Sequence, residues 1–342
     1  MAQKLAVVFG GSGFIGRYVV RHLAAAGWRV RIAVRDTQQA QFLKPAGDLG
    51  QVSFVPASVT NAQSVAAALE GADAVVNLVG ILLELGRRTF KSIHVDAAAN
   101  VAAACARAGV KTLVHMSALG ADEASNSSYS RSKAQGEVAV RQAFPKAAIM
   151  RPSVVFGTED GFFNLFGLMA QVFPVIPYFT STNPQSPEGG GASFQPVYVG
   201  DVAQAFVQAI TDEAHAGTTF ELGGPRVYSM RDIVQMVNQA TMRHRKIIGM
   251  PYVFAIPLNV LGACARWALH AVLKISFVAP LLPTFDQIKL LKAGNVLSGK
   301  MPGLAAFGIE PTAPDSVVPT YLKRFRPVQQ NKKIRTPARN RS

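Results

Sequence analysis

The chain has 342 residues, a length that accommodates one large α/β domain carrying a second lobe, and 49% of them are hydrophobic. No stretch of about twenty residues is free of charge or proline, which excludes a comfortable membrane span, and two cysteines, Cys105 and Cys264, are too few and too separated for a disulfide framework or a metal site. The formal net charge of +15 calls for a polyanionic partner, but much of it sits in a C-terminal tail holding Lys323, Arg324, Arg326, Lys332, Lys333, Arg335, Arg339 and Arg341 without one Asp or Glu.

In chain order, apolar runs of strand length fall at residues 5–9, 30–34, 52–55, 74–78, 112–116 and 148–151, with helical patterns between them. Such a series predicts a Rossmann-type, doubly wound α/β sheet of parallel strands with right-handed crossovers. The first strand empties into Gly10-Gly-Ser12-Gly13-Phe14-Ile15-Gly16 and then a helical run through Arg17, Val20 and Leu23. Glycine at Gly10, Gly13 and Gly16 permits a tight turn, close approach of a pyrophosphate and close packing of helix on strand. The N–H groups at the helix start then face the phosphates, so this turn is expected to bind a dinucleotide.

The end of the second strand carries Arg35 rather than an acidic residue. Arginine there can pair with the 2′-phosphate of NADP, so NADPH is expected over NAD, although Asp36 beside it keeps NAD open. Further on, Tyr129-Ser-Arg-Ser-Lys133 sets a phenol and an ammonium on one face of a helix. The lysine is expected to lower the phenol's pKa from about 10 and to hold the nicotinamide ribose, while Ser117, ending the fifth strand, is placed to bond a substrate oxygen. Past Pro152 the pattern loosens. A Ser, Pro and Gly-rich loop runs over 181–191, and Gln195-Pro-Val-Tyr-Val-Gly-Asp201 leads back into a strand and helix. The expected organisation is a nucleotide domain over 1–155 with 194–212 returning to it, a smaller interleaved lobe over 156–325 and a basic disordered tail over 326–342.

Taken in order, Gly10, Gly13 and Gly16, Asn77-Leu78-Val79-Gly80, Ser117, Tyr129 with Lys133, and Arg151-Pro152-Ser153-Val154-Val-Phe-Gly157 resemble an atypical or extended short-chain dehydrogenase/reductase. Tyr129 to Glu137, Ala143-Phe-Pro145, Gly157 to Asn164 and Gln195 to Val202 resemble more closely the subfamily of accessory subunits of respiratory complex I, NADH:ubiquinone oxidoreductase. That resemblance spans roughly Lys4 to Arg326. It implies a tightly held NADPH used structurally, with Ser58, Val59, Leu78, Val79, Gly80, Pro152, Ser153 and Val154 joining the glycine turn, Arg35, Ser117, Tyr129 and Lys133 around it. Phe9 and the pair Ser58-Val59 depart from the common family pattern, and Ser117 and Tyr129 lie closer together than in sugar epimerases.

Between Pro257 and Pro280, the run 258–275 sets Asn259, Arg266, His270 and Lys274 in a stripe about 80° wide on an otherwise apolar helix. With the tail, it is expected to attach the protein to anionic lipid, each basic residue near the surface adding about 1 kcal/mol. A core helix with a narrow exposed edge is the competing reading of that run. No recognition module accompanies the tail, so nucleic acid is not an expected partner. The first strand begins almost at Met1, and the expected location is peripheral, on the cytoplasmic face of a bacterial inner membrane or the matrix side if the protein is organellar. The leading functional expectation is a nucleotide-binding subunit of complex I without turnover. The alternatives are an active oxidoreductase on a lipophilic substrate, as in quinone biosynthesis, and an NADP(H) redox sensor.

Overall fold

The computed structural model describes residues 3–180, 189–254 and 284–327. Six parallel strands, β1 (Leu5–Phe9), β2 (Arg29–Val34), β3 (Val52–Pro56), β4 (Ala74–Asn77), β5 (Thr112–Met116) and β6 (Ala148–Pro152), lie where the apolar runs predict them, within a residue at each end. Their spatial order is 3-2-1-4-5-6, and the order reverses between β1 and β4, so a crevice opens at the carboxyl end of β1.

Both faces of the sheet are covered. All five residues of β1 are buried, and their alternation feeds two cores. Ala6 and Val8 pack with Val20 and Leu23 of helix α1 (Phe14–Ala25) and with Val202 and Phe206 of a later helix, Val199–Thr211. Val7 and Phe9 pack on the other side with Val65 of α2 (Ala62–Ala68), Val101 and Cys105 of α3 (Ala97–Arg107) and Val140 of α4 (Ser128–Ala143). Cys105 is a buried free thiol whose pKa burial raises to about 12, so it packs as a small hydrophobe.

A seventh strand, Thr219–Leu222, extends the sheet in parallel beyond β6. Its four residues, among them a charged Glu221, are too short a run to carry a strand period, and pairing with β6 decides it. A third core, built on Phe163, Tyr178, Ile233, Val237, Val318 and Leu322, belongs to a smaller lobe containing a parallel pair, Val175–Thr180 with Lys246–Pro251. The chain passes between lobes more than once: the Val199–Thr211 helix and the Thr219–Leu222 strand both follow the first elements of that smaller lobe, yet pack on the large sheet. The expected apolar helix over 258–275 and the tail from 328 onward lie outside the described residues.

The helix entering α3 begins with a π-helical turn, Lys91–Asp96, whose backbone runs against α4 at Gly136. A Cβ on Gly136 would stand 2.1 Å from the His94 carbonyl oxygen, with backbone on both sides of the contact. Gly136→Ala therefore has no flexible neighbour to displace, and is expected to destabilise the fold by about 1–3 kcal/mol. A urea unfolding midpoint lowered at unchanged slope would report it; an unmoved midpoint would show that the two helices separate freely.

Candidate functional site

Residues selected from sequence gather at the carboxyl ends of the strands. Gly10 adopts φ 78°, a conformation open chiefly to glycine, and its Cα faces the Leu78 and Val79 backbone, where a Cβ would meet Leu78 C at 3.2 Å. The Gly13 N–H donates to Gly10 O at 3.0 Å, closing the turn. A Cβ at Gly16 would lie 2.3 Å from the same oxygen, so the first turn of α1 sits directly on the loop. No side chain caps α1, which leaves the N–H groups of Phe14, Ile15 and Gly16 available at the mouth of the crevice, with Ser12 in the same loop.

Arg35 is exposed at the end of β2 and has no hydrogen-bonding or ionic partner among the described residues. Asp36, in contrast, uses Oδ1 to accept from Gln38 N and Gln39 N at 2.9 and 3.2 Å, which stabilises its own turn. After β3, the Ser58 hydroxyl pairs with the Thr60 hydroxyl at 2.9 Å and Val59 is buried in the core. After β6, Pro152 and Ser153 are buried, and the Ser153 hydroxyl donates to Asn295 Oδ1 at 2.6 Å, which also accepts from Val154 N at 3.0 Å. Asn295 thereby ties the strand ends to the second lobe. Beside it, a cleft of about 460 Å³ is lined by Leu119, Gly120, Ser193 and Asn295.

Ser117, Tyr129 and Lys133 meet at the ends of β5 and α4. The Ser117 Oγ is buried without a hydrogen-bond partner among the described residues, a costly state that a bound polar group would relieve. The Tyr129 hydroxyl likewise has none among the described residues. The Lys133 Nζ lies 5.9 Å from the Tyr129 ring centre and donates to Met116 O at 3.2 Å, which leaves further N–H donors without a partner among the described residues. Burial lowers the Lys133 pKa to about 8, only partly offset by the Glu137 charge. Glu137 is bound on both oxygens by Arg151, at 2.8 and 2.7 Å, and makes no hydrogen bond to the lysine. The expected lowering of the tyrosine pKa is not what the site gives. Burial raises Tyr129 to about 12, because the phenolate would be desolvated and receives no hydrogen bond.

Several residues that complete this cluster carry no local sequence signal. His94, 38 positions before Ser132, pairs its Nδ1 with the Ser132 hydroxyl at 2.8 Å, while its Nε2 accepts from Ile81 N at 3.1 Å. With Nε2 accepting, the proton is assigned to Nδ1, and Ser132 in turn donates to Tyr129 O at 2.7 Å. Burial first, then the Lys133 charge, lowers His94 to about 3. His115, buried on β5 and paired at 3.3 Å with Asn77, is lowered to about 3 for the same two reasons. Asp286, far along the chain, accepts from Ser127 Oγ, Ser128 N and Tyr129 N at 2.8, 2.7 and 3.0 Å, and so holds the start of α4. The arrangement can hold a dinucleotide along α1 and β4, place donors at a ribose, and offer two free hydroxyls beside the nicotinamide position. Among the described residues no group of His, Cys, Asp and Glu can hold a metal.

These shifts have a definite sign. Between pH 6.5 and about 3 the unfolded chain protonates His94 and His115 while the folded chain does not, so stability is present above pH 6.5 and lost as pH falls. Between about 8 and 10.5 the unfolded chain holds the Lys133 proton and the folded chain has lost it, so that residue makes stability rise with pH. Urea unfolding of Lys133→Met is expected to show a higher midpoint at pH 7 and a flatter profile from pH 8 to 10; a profile parallel to the parent's would remove Lys133 as the cause.

Comparison with known proteins matches the model of the NmrA-like family over residues 2–259. The NADH dehydrogenase [ubiquinone] 1 alpha subcomplex subunit 9, mitochondrial, of Mus musculus is 34% identical over 325 residues, which cover 94% of this chain and 80% of the mouse protein. The NADH-ubiquinone oxidoreductase 40 kDa subunit, mitochondrial, of Neurospora crassa is 31% identical over 322 residues, 94% of this chain and 79% of that one. Among solved structures, a Thermus thermophilus UDP-glucose 4-epimerase in complex with NAD superimposes with a TM-score of 0.65 at 18% identity, covering 94% of this chain and 98% of the epimerase. At that identity the likeness speaks for the fold, a Rossmann-type architecture, and not for the substrate. The glycine turn, the strand order and the extent of these matches agree: the chain belongs to the NmrA-like family and, within it, to the family of the alpha subcomplex subunit 9 proteins of NADH dehydrogenase.

Proposed function

We propose that this protein is an NADP(H)-binding accessory subunit of respiratory complex I, in which the nucleotide organises the fold and is not turned over. The observation that carries the reading is kinship of full extent: the relatives named as subunits of NADH dehydrogenase align with nearly all of this chain, the second lobe included. A dinucleotide suits the crevice because the uncapped α1 N-terminus and the Ser117 hydroxyl, orphaned among the described residues, each lack what a pyrophosphate, ribose or nicotinamide amide supplies, while Gly16 lets α1 start directly on the loop. NADP(H) is favoured over NAD(H) because Arg35 is free at the end of β2 while Asp36 is engaged with its own turn. Attachment is peripheral. Among the described residues no helix is long and apolar enough to cross a membrane, and the basic tail with the apolar run 258–275 supplies the attraction to an anionic lipid surface.

A second reading, an active oxidoreductase on a lipophilic substrate, is favoured by one feature: the Tyr129 and Ser117 hydroxyls are both unpartnered among the described residues. In that case Tyr129 is the acid/base, Lys133 the ribose anchor and Ser117 the substrate donor. Its raised phenol pKa weighs against proton transfer at neutral pH before nucleotide binds.

Purification from gently solubilised membranes, followed by denaturing extraction, is expected to yield complex I subunits and stoichiometric NADP(H) together. Recovery of the protein apart from the complex, with the complex intact after its deletion, would overturn the subunit reading. Tyr129→Phe separates the two readings: assembly and bound nucleotide unchanged under the first, loss of a metabolic product under the second. Arg35→Ala is expected to weaken NADPH binding roughly 10- to 100-fold, the worth of a charge-assisted hydrogen bond, while NADH binding changes little. Equal loss for both nucleotides in a titration would place the arginine elsewhere than at a 2′-phosphate.

A further inference from the structure

Between β4 and the π-helical turn the chain projects a small hairpin, closed by reciprocal hydrogen bonds of Leu85 N to Arg88 O and Arg88 N to Leu85 O, both 3.1 Å. Its leucines point outward. Leu82 is 67% exposed, Leu83 41% and Leu85 71%. A scattered exposed leucine needs no explanation, but three on one short projection form a patch that gains by being covered.

The charges beside the leucines indicate what covers them. Arg87 and Arg88 are exposed and their guanidinium groups have no partner among the described residues. The one carboxylate of the hairpin, Glu84, turns back to accept from Phe90 N at 2.7 Å, and Asp96 beyond it is paired with Lys91 at 3.0 Å. The projection therefore offers apolar side chains together with two guanidinium groups that have no partner among the described residues, a net positive charge even with Glu84 counted, on a chain of net charge +15. An anionic bilayer surface offers the complement: headgroup phosphates for arginine and an acyl boundary for leucine within a few ångströms of each other. The hairpin is also held firmly at its base. Thr89 N donates to Ser92 Oγ at 3.0 Å and the Ser92 hydroxyl reaches Arg87 O at 3.3 Å. Ile81 N is bonded to His94, so the hairpin's root is a wall of the Lys133 site.

We propose that the hairpin over residues 82–88 is a docking element for an anionic lipid surface, seating its leucines at the acyl boundary and its two arginines on headgroup phosphates. This attachment is distinct from the apolar run and basic tail and holds whether or not the chain is a complex I subunit.

The test places an environment-sensitive nitrobenzoxadiazole dye on Leu85→Cys in the full chain, with Cys264→Ser; Cys105 is buried and escapes labelling. Vesicles of phosphatidylcholine with phosphatidylglycerol are expected to raise the emission several-fold and shift it to the blue. Doxyl groups on the acyl chains should quench it, and phosphatidylcholine alone should have little effect. Arg87→Glu with Arg88→Glu is expected to abolish the response while leaving bound nucleotide and thermal midpoint unchanged. A silent dye on protein that sediments with the anionic vesicles would overturn the proposal and leave attachment to other segments. A dye that responds to solubilised complex I and not to vesicles would overturn it in favour of a protein partner.

Discussion

A lysine ammonium buried, among the described residues, without a carboxylate of its own is the constraint around which the crevice is arranged. Among the described residues Lys133 has a single backbone acceptor, Met116 O, and Glu137, the acid whose charge it feels, is taken on both oxygens by Arg151. Desolvation of such a group costs free energy unless the charge is paired or the proton leaves, and the pKa near 8 expresses that tension. The surroundings accommodate it by staying neutral. His94 and His115 remain uncharged well into acid, and the Tyr129 phenol is held in its protonated form. A ligand carrying hydroxyls, such as a ribose, would give the ammonium acceptors without adding a second charge. A nucleotide whose ribose lay there would couple its binding to stability at one atom, Nζ.

This arrangement depends on a close crossing of backbones. The absence of a side chain at Gly136 lets α4 lie against the π-helical turn, and only then do the Ser132 hydroxyl and His94 Nδ1 meet. π-Helical turns recur at functional sites, and here the turn carries the buried His94. The second lobe reaches the same place from the other side. Asp286 sits on the start of α4 and Asn295 on the ends of β5 and β6, where it accepts from Ser153 and Val154 and donates to Leu119 O. The lobes are joined across the crevice by hydrogen bonds to backbone, one of them at Tyr129 N.

Much of this was legible in the residues. The six central strands follow from apolar runs of strand length, and the glycine turn follows from spacing, because each glycine answers a local steric demand that no other residue meets. Tyr129 and Lys133 fall on one helix face by the same local logic. The seventh strand was not legible, because four residues carry no period and their place beside β6 is a matter of pairing. His94, Asp286 and Asn295 were not legible either, since their partners are separated by dozens to more than a hundred positions. The tyrosine pKa was not legible for a related reason: proximity to lysine along a helix speaks for a lower value, whereas desolvation, which only the packed site sets, raises it.

The sequence by itself determined the doubly wound sheet, the tight glycine turn after β1 and the identity of the hydroxyls and amine beside the strand ends, because periodicity, glycine and helix-face spacing are short-range properties. The tertiary structure alone decided the protonation states of Lys133, Tyr129, His94 and His115, the commitment of Asp36 and Glu137 to other partners, and the outward projection of Leu82, Leu83 and Leu85. Each of these depends on burial and on groups distant in the chain, and desolvation has no signature in a linear string of residues.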